Sequence, residues 1–506
     1  MQNTRGLFMP SIVSACALSF EFSNGRQLFK NLNFSLTSER TALIGPNGIG
    51  KTCLAQLLCG ELEPTQGAII RKQKITFFPQ KQIPKPITVN EYLISHESWS
   101  LWHEQMLADI NRETICTNLS GGEWMRVRLA NTRDDQFLIL DEPTNDLDQE
   151  GRSALIQFLK MRTEGILLIS HDRLCLQLCS HFLELSNRGL TQFSGTWQEY
   201  KKHTADERER LSIALKLATR ERETIITKRL SLLTRQEKRN QQGAKKAAKH
   251  DMPKILIGAR KRRAQATTGK INHQTLEQTQ NAIGQAVIAL NEVKVDPIMY
   301  INLIGHEIPI QKLVAAAKSF NVFFKNWIYQ NDLNFSWRGP IRMAIHGKNG
   351  SGKSTLIKAL MGNQFNTRGK IERGNLKTIY IDQQCSLLND EKNILQNVQF
   401  FSGLDETKLR NELAKFLFTK DFVFQNVEKL SGGERLRAAL ACAFLSYDKP
   451  ELLILDEPTN NLDLSNIEFL ENLIRQFRGA LIVVSHDETF LKNIEINEIF
   501  SLETKK

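Results

Sequence analysis

Gly45-Pro46-Asn47-Gly48-Ile49-Gly50-Lys51-Thr52 decides the reading, because it returns as Gly347-Lys348-Asn349-Gly350-Ser351-Gly352-Lys353-Ser354. Glycines at these places let backbone wrap closely around a phosphate, with N–H groups of the loop and of the next helix pointing inward. Lys51 and Lys353 then reach the terminal phosphates of a nucleoside triphosphate, and Thr52 and Ser354 offer hydroxyls to Mg²⁺. The expected nucleotide contacts are Gly45, Asn47, Gly48, Gly50, Lys51 and Thr52, then Gly347, Asn349, Gly350, Gly352, Lys353 and Ser354. Ala42-Leu43-Ile44 and Arg342 to His346 read as the strands entering the two loops.

Three more motifs repeat in the same order. Leu119-Ser120-Gly121-Gly122-Glu123 matches Leu430-Ser431-Gly432-Gly433-Glu434, and Leu138-Ile139-Leu140-Asp141-Glu142 matches Leu453-Ile454-Leu455-Asp456-Glu457. His171 lies 30 positions after Asp141, and His486 lies 30 after Asp456. The short apolar runs suit strands buried on both faces of a parallel sheet. An aspartate closing such a strand costs free energy unless it meets a cation, so Asp141 and Asp456 are read as Mg²⁺ partners. Glu142 and Glu457, next in line, are expected to point the other way along the strand and to polarise an attacking water. Four motifs duplicated at matched spacing predict an α/β chain with two phosphate-loop ATPase domains, about 1–200 and 295–506.

The segment between them differs. Of the net charge of +12, positions 201–294 hold 22 Lys and Arg against 9 Asp and Glu, and the remaining positions hold 45 against 46. Tyr200 to Lys249 has no proline and only Gly243, and predicts one long helix, with Ile213, Leu217, Ile225 or Ile226, Leu230 and Leu233 near helical spacing. A second helix is expected from Asn272 to Val293, with Leu276, Ile283, Val287, Leu290 and Val293 on one stripe. The tip between them, Lys245 to Arg263, carries eight basic residues against Asp251. A long helical hairpin linker with a cationic tip implies a polyanionic partner.

The motif set resembles the ATP-binding-cassette family, and Glu142-Pro143-Thr144-Asn145-Asp146-Leu147-Asp148 with Glu457-Pro458-Thr459-Asn460-Asn461-Leu462-Asp463 resembles its ABC-F branch. Gly195-Thr196-Trp197-Gln198-Glu199-Tyr200 is similar to the sequence that precedes the linker in that branch. The resemblance implies head-to-tail cassettes within one monomer. Ser431 and Gly433 would then complete the ATP site of Lys51, and Ser120 and Gly122 that of Lys353. It makes Gln80 and Gln383 sensors of Mg²⁺ and water, and His171 and His486 contacts of the γ-phosphate. Phe22 falls at the adenine-stacking place, with Phe323 or Phe324 as its counterpart. It implies ATP and Mg²⁺ as cofactors. It also implies a ribosomal partner, the linker meeting rRNA and peptidyl-tRNA near the exit site in a housekeeping or antibiotic-resistance role. Gln80 to Leu119 spans only 39 positions, little room for the arm some members insert, and a C-terminal coiled coil is expected to be missing.

Other classes fit less well. No apolar run reaches the roughly 18 residues of a membrane helix, and a transporter subunit gives no reason for the basic linker. The spacing from phosphate loop to signature excludes the long coiled-coil insertion of chromosome-organising ATPases. Met1 to Pro10 lacks a signal-peptide pattern. The eight scattered cysteines predict buried free thiols in a reducing cytoplasm, with Cys175 and Cys179 on one helix face.

Overall fold

The computed structural model describes residues 10–249, 277, 279–280, 283–284 and 307–502, except 81, 94–100, 109, 134, 146, 148 and 349. The chain forms two compact units. One holds both nucleotide-binding halves, and the other is Gln198–Asp296.

The first half contributes β1 (Val13–Glu21), β2 (Gln27–Leu36), β3 (Arg40–Ile44), β4 (Gln66–Arg71), β5 (Ile75–Phe78), β6 (Phe137–Asp141), β7 (Ile166–Ile169), β8 (His181–Ser186) and β9 (Gly189–Ser194). The second contributes β10 (Leu313–Phe323), β11 (Leu333–Arg338), β12 (Arg342–His346), β13 (Asn366–Arg373), β14 (Thr378–Ile381), β15 (Leu452–Asp456), β16 (Ala480–Val484) and β17 (Glu498–Ser501). Each half pairs a small antiparallel sheet, β2-β1-β4 or β11-β10-β13, with a larger sheet, β5-β6-β7-β3-β8-β9 or β14-β15-β16-β12-β17. The larger sheets are parallel apart from β9.

Every residue of β6, β7, β15 and β16 is buried. This is why these strands read as unbroken apolar runs; each large aliphatic side chain taken from water contributes about 1.5–3 kcal/mol. Leu32, Phe34 and Leu36 are also buried, as their alternation predicts. The chain leaves β3, β6 and β7 on the same carboxyl edge, where ligands bind in open parallel sheets.

Gly50 and Gly352, both left-handed, turn each strand-end loop into the helices Lys51–Cys59 and Lys353–Met361. A side chain at Gly50 would strike Leu28 at 2.7 Å, and one at Gly352 would strike Ile328 at 2.5 Å. Those positions therefore need glycine on both counts.

The linker unit begins with a helix at Trp197–Lys249, about 80 Å long at 1.5 Å per residue. Its half-buried seam runs through Thr204, Arg208, Leu211, Leu215, Ala218, Ile225 and Arg229, at the 3.5-residue spacing of coiled coils. This corrects the apolar stripe: Ile213, Leu217 and Leu230 are exposed, and of its described residues Ile225 lies on the seam with half-buried Ile226 beside it. A half-buried stripe at heptad spacing can hold a threonine or an arginine stem, whose methylenes cover apolar surface, while leucines off the stripe stay in water. Residues 277, 279, 280, 283 and 284 are helical, with Thr279 buried and Ile283 exposed. Leu276, Val287, Leu290, Val293, the side chain of Leu233 and the tip beyond Lys249 lie outside the described residues. Among those described, no helix is long and apolar enough to cross a membrane.

Cys175 and Cys179 are buried free thiols, but the helix ends at Leu176, so they share no helix face.

The two halves meet through a buried ion pair. Arg173 Nη1 and Nη2 donate to the Glu471 carboxylate at 2.5 and 3.2 Å, and Asn493 donates to the same carboxylate at 3.0 Å. Removing one partner of such a pair leaves a desolvated charge and costs about 3–5 kcal/mol. Glu471→Ala is expected to lower stability by that amount in urea unfolding. Arg173→Met with Glu471→Leu should recover most of it. Equal losses in the single and double variants would show that the charge itself does not matter.

Candidate functional site

The first site is assembled where the loops after β3, β6 and β7 converge. Lys51 opens its helix and is buried. Its Nζ donates to Gly45 O at 2.7 Å, Pro46 O at 3.3 Å and Asn47 Oδ1 at 3.3 Å, and lies 3.0 Å from His171 Nε2. Thr52 Oγ1 donates to Asp141 Oδ2 at 2.7 Å. The second site repeats this: Lys353 Nζ donates to Gly347 O at 2.7 Å and Lys348 O at 3.2 Å, and Ser354 Oγ donates to Asp456 Oδ2 at 3.0 Å. Asn349 lies outside the described residues.

Glu142 and Glu457 reach their places differently from the alternation argument. The strands end at Asp141 and Asp456, and the two glutamates are left-handed, at φ 46° and 48°. Their backbone N–H groups donate to Ile169 O and Val484 O, both at 2.8 Å, which ties each turn to the neighbouring strand. A non-glycine residue held there stores on the order of 1–3 kcal/mol of strain, a common feature of active-site residues. Each carboxylate lies 3.4 Å from its histidine, His171 or His486.

Burial dominates the electrostatics. It pushes Glu142 up to about 8 and Glu457 up to about 7, against the pull of Lys51 and Lys353. Burial also lowers Lys51, drives His171 well below the ordinary histidine value and raises Asp141 and Asp456.

The second half reaches the first phosphate loop. Asn47 N donates to Asp463 Oδ2 at 3.3 Å, and Asn47 Nδ2 to Asn461 O at 2.7 Å. Gln80 and Asn145 both donate to Asn461 Oδ1, at 3.0 and 3.2 Å. Asn461 O faces Gly432 of the signature loop, and a side chain at Gly433 would strike Asn466, which bonds Asp463. The signature of one half thus reaches the phosphate loop of the other through Asn461 and Asp463. At the second site the crossing contacts include Glu150 with Lys348 at 2.7 Å and Arg152 with His486 O at 3.2 Å. Gln383 is exposed and lines a cavity of about 310 Å³ with Cys385 and Gly432 of its own half; among the described residues it makes no hydrogen bond, unlike Gln80.

Asn461, Asp463 and Arg152 are additions to the expected set. The repeated x-Leu-Asp after Glu-Pro-Thr-Asn was the available signal. Ser120 and Ser431 also carry a structural duty. Each caps its helix in a reciprocal box with Glu123 or Glu434, the Ser-x-x-Glu pattern of helix starts.

The aromatic alternative is decided by the strands. Phe22 follows the last residue of β1 and donates to Arg26 O at 3.0 Å, and Phe324 follows the last residue of β10 and donates to Asn326 O at 3.1 Å. Phe324 is therefore the structural counterpart of Phe22. With Phe323 and Trp327 it lines a cavity of about 770 Å³ that reaches Gly350 of the phosphate loop. An aromatic wall beside a ring of loop N–H groups suits a base joined to phosphates. Among the described residues, His171 Nδ1 is buried without a hydrogen-bond partner, as is Ser351 Oγ of the second loop. Among the described residues, no three His, Cys, Asp or Glu side chains gather to hold a metal. One carboxylate and one hydroxyl per site suit Mg²⁺, which takes its other oxygens from phosphate and water.

The family described as ABC transporter matches residues 29–145 and 330–460. The chain is similar to ATP-binding protein Uup of Buchnera aphidicola, at 30% identity over 514 residues, 96% of this chain and 79% of the relative. It is similar to ribosome protection protein VmlR of Bacillus subtilis, at 28% over 499 residues, 96% of this chain and 85% of the relative. ABC transporter F family member 5 of Arabidopsis thaliana is 26% identical over 536 residues, 92% of this chain and 71% of the relative. Among solved structures, the archaeal ribosome recycling factor aABCE1 shares the fold at a TM-score of 0.58 and 17% identity, covering 97% of this chain and 88% of that one.

Two glutamates with different raised values give a pH signature. A base acts as its carboxylate, so turnover should rise with pH through its pKa. Glu457→Gln, which leaves Glu142, is expected to show its rising limb near 8. Glu142→Gln, which leaves Glu457, is expected to show it near 7. A rate already level from about pH 5 upward in both variants would contradict the assignment, since a base raised above the ordinary carboxylate range must still be losing its proton there.

Proposed function

Because the chain belongs to the ABC-F family of tandem ATP-binding-cassette ATPases, we propose that ATP binding and hydrolysis control its attachment to and release from the ribosome, through the basic linker between its halves. The observation that carries this reading is where the charge sits: positions 201–294 hold 13 more basic than acidic residues, and the rest of the chain holds one fewer. RNA phosphates match such a segment, whereas transport chemistry gives it no role. Relatives described as a ribosome protection protein and as a ribosome recycling factor support the same partner.

In this reading each triphosphate lies along its loop, with the loop N–H groups and Lys51 or Lys353 on its phosphates and Phe22 or Phe324 against the base. Thr52 with Asp141, and Ser354 with Asp456, would hold Mg²⁺, which neutralises phosphate charge when bound. Gln80 and Gln383 would approach the same ion and its water. Glu142 and Glu457 orient and deprotonate the attacking water, and His171 and His486 face the terminal phosphate. Ser431 and Gly433 close over the first site, and Ser120 and Gly122 over the second, so two bound nucleotides hold the halves together and hydrolysis frees them. The tip, Lys245 to Arg263, meets rRNA and peptidyl-tRNA near the exit site. The protein acts as a cytoplasmic monomer.

Glu142→Gln with Glu457→Gln is expected to reduce ATP hydrolysis by about two to four decades while ATP binding persists. With ATP and purified ribosomes, this variant should sediment with the ribosomes. If about five phosphates are engaged, raising salt from roughly 50 to 200 mM should weaken binding by about two to three decades. Changing Arg260, Lys261, Arg262 and Arg263 to Glu should leave ATP binding intact and abolish sedimentation. A trapped protein with an intact tip that stays at the top of the gradient would end the ribosome reading, and preference for duplex DNA would replace it.

A further inference from the structure

The two hydroxyl–aspartate pairs differ by one donor. Among the described residues, Asp141 accepts a hydrogen bond from Thr52 alone. Asp456 accepts from Ser354 and also from the phenol of Tyr380, at 3.2 Å, both on Oδ2. Tyr380 is the third residue of β14 and lies opposite Ile454, two residues before Asp456. The matching place in the first half is Phe77, third in β5 and opposite Ile139, two residues before Asp141. Both rings pack against the core of their own half, so packing asks for a ring and not for its oxygen.

We propose that Tyr380 is a positioning residue of the second nucleotide site, its hydroxyl fixing the Asp456 carboxylate so that this site takes up Mg²⁺ with nucleotide at lower free Mg²⁺ than the first. A carboxylate held by one flexible hydroxyl can turn about its terminal torsion. A second donor, on a ring whose backbone is locked into the sheet, removes that freedom. Because both donors fall on Oδ2, Oδ1 keeps its lone pairs for the ion or its water. Partners of this kind commonly tune metal affinity by about 10–100-fold. The inference concerns the ATPase sites and stands apart from the ribosome reading.

The test is binding of a fluorescent ATP analogue at increasing free Mg²⁺, in full-length protein with the other site silenced. In a Lys51→Ala background, Tyr380→Phe is expected to raise the half-saturating Mg²⁺ about tenfold. Binding in excess chelator should not change, which a purely structural role would not spare. In a Lys353→Ala background, Phe77→Tyr is expected to lower the requirement of the first site by a similar factor. This arm decides alone should Tyr380→Phe fail to fold. An unchanged Mg²⁺ requirement in either variant overturns the proposal. So does an equal loss of affinity with and without Mg²⁺.

Discussion

Each half of this protein is organised around a lysine ammonium buried at the carboxyl edge of a parallel sheet. Lys51 is only 8% exposed and Lys353 only 9%. A cation so placed is costly unless acceptors surround it. Loop carbonyls supply them at 2.7 Å in both halves, from Gly45 and from Gly347. The left-handed glycines give the loop its curvature, the strand ends bring up aspartate and glutamate, and the loop after the next strand brings up histidine. The same charge that needs these acceptors can draw a phosphate into the loop. Stability and ligand affinity therefore rest on one desolvated group.

The halves share this plan but not its surroundings. Asn461 joins Asn47, Gln80 and Asn145 at the first site, whereas the corresponding residue of the first half is the acid Asp146. Arg173 pairs with Glu471, while the residue two after His486 is Glu488, an acid that accepts a hydrogen bond from Gln149. Tyr380 touches Asp456, and Phe77 cannot do the same for Asp141. The repeated motifs are thus set in unequal frames, and the hydrogen bonds around the two aspartates differ by one donor. Such a difference suits an ATPase whose two nucleotides need not leave together.

Most of the nucleotide site was legible because its chemistry is local. A glycine that must turn left-handed, a lysine one residue later and a hydroxyl after that must be consecutive, so they survive as a string of letters. The strands before the aspartates were legible for a related reason: burial on both faces removes every polar option. The direction of the glutamates was not legible. Spacing placed them after the strand, but a left-handed turn sets their direction. The linker helix was legible as a helix from composition. Its half-buried face was not, because it runs through Thr204, Arg208 and Leu211 at heptad spacing while the more apolar Ile213, Leu217 and Leu230 stay exposed.

The sequence by itself determined two duplicated α/β halves, the residues that can hold a triphosphate, and a basic helical segment between them. These follow from local backbone rules and from composition, which require no knowledge of what lies opposite. The tertiary structure decided that Asn461 and Asp463 contact Asn47 of the other half, and that Phe324 rather than Phe323 matches Phe22. It also decided that Arg173 finds Glu471 and that Tyr380 reaches Asp456. Those pairs join residues between 76 and 416 positions apart. A hydrogen bond forms only when two atoms come within about 3 Å in the right direction, and spacing along a chain does not fix that distance.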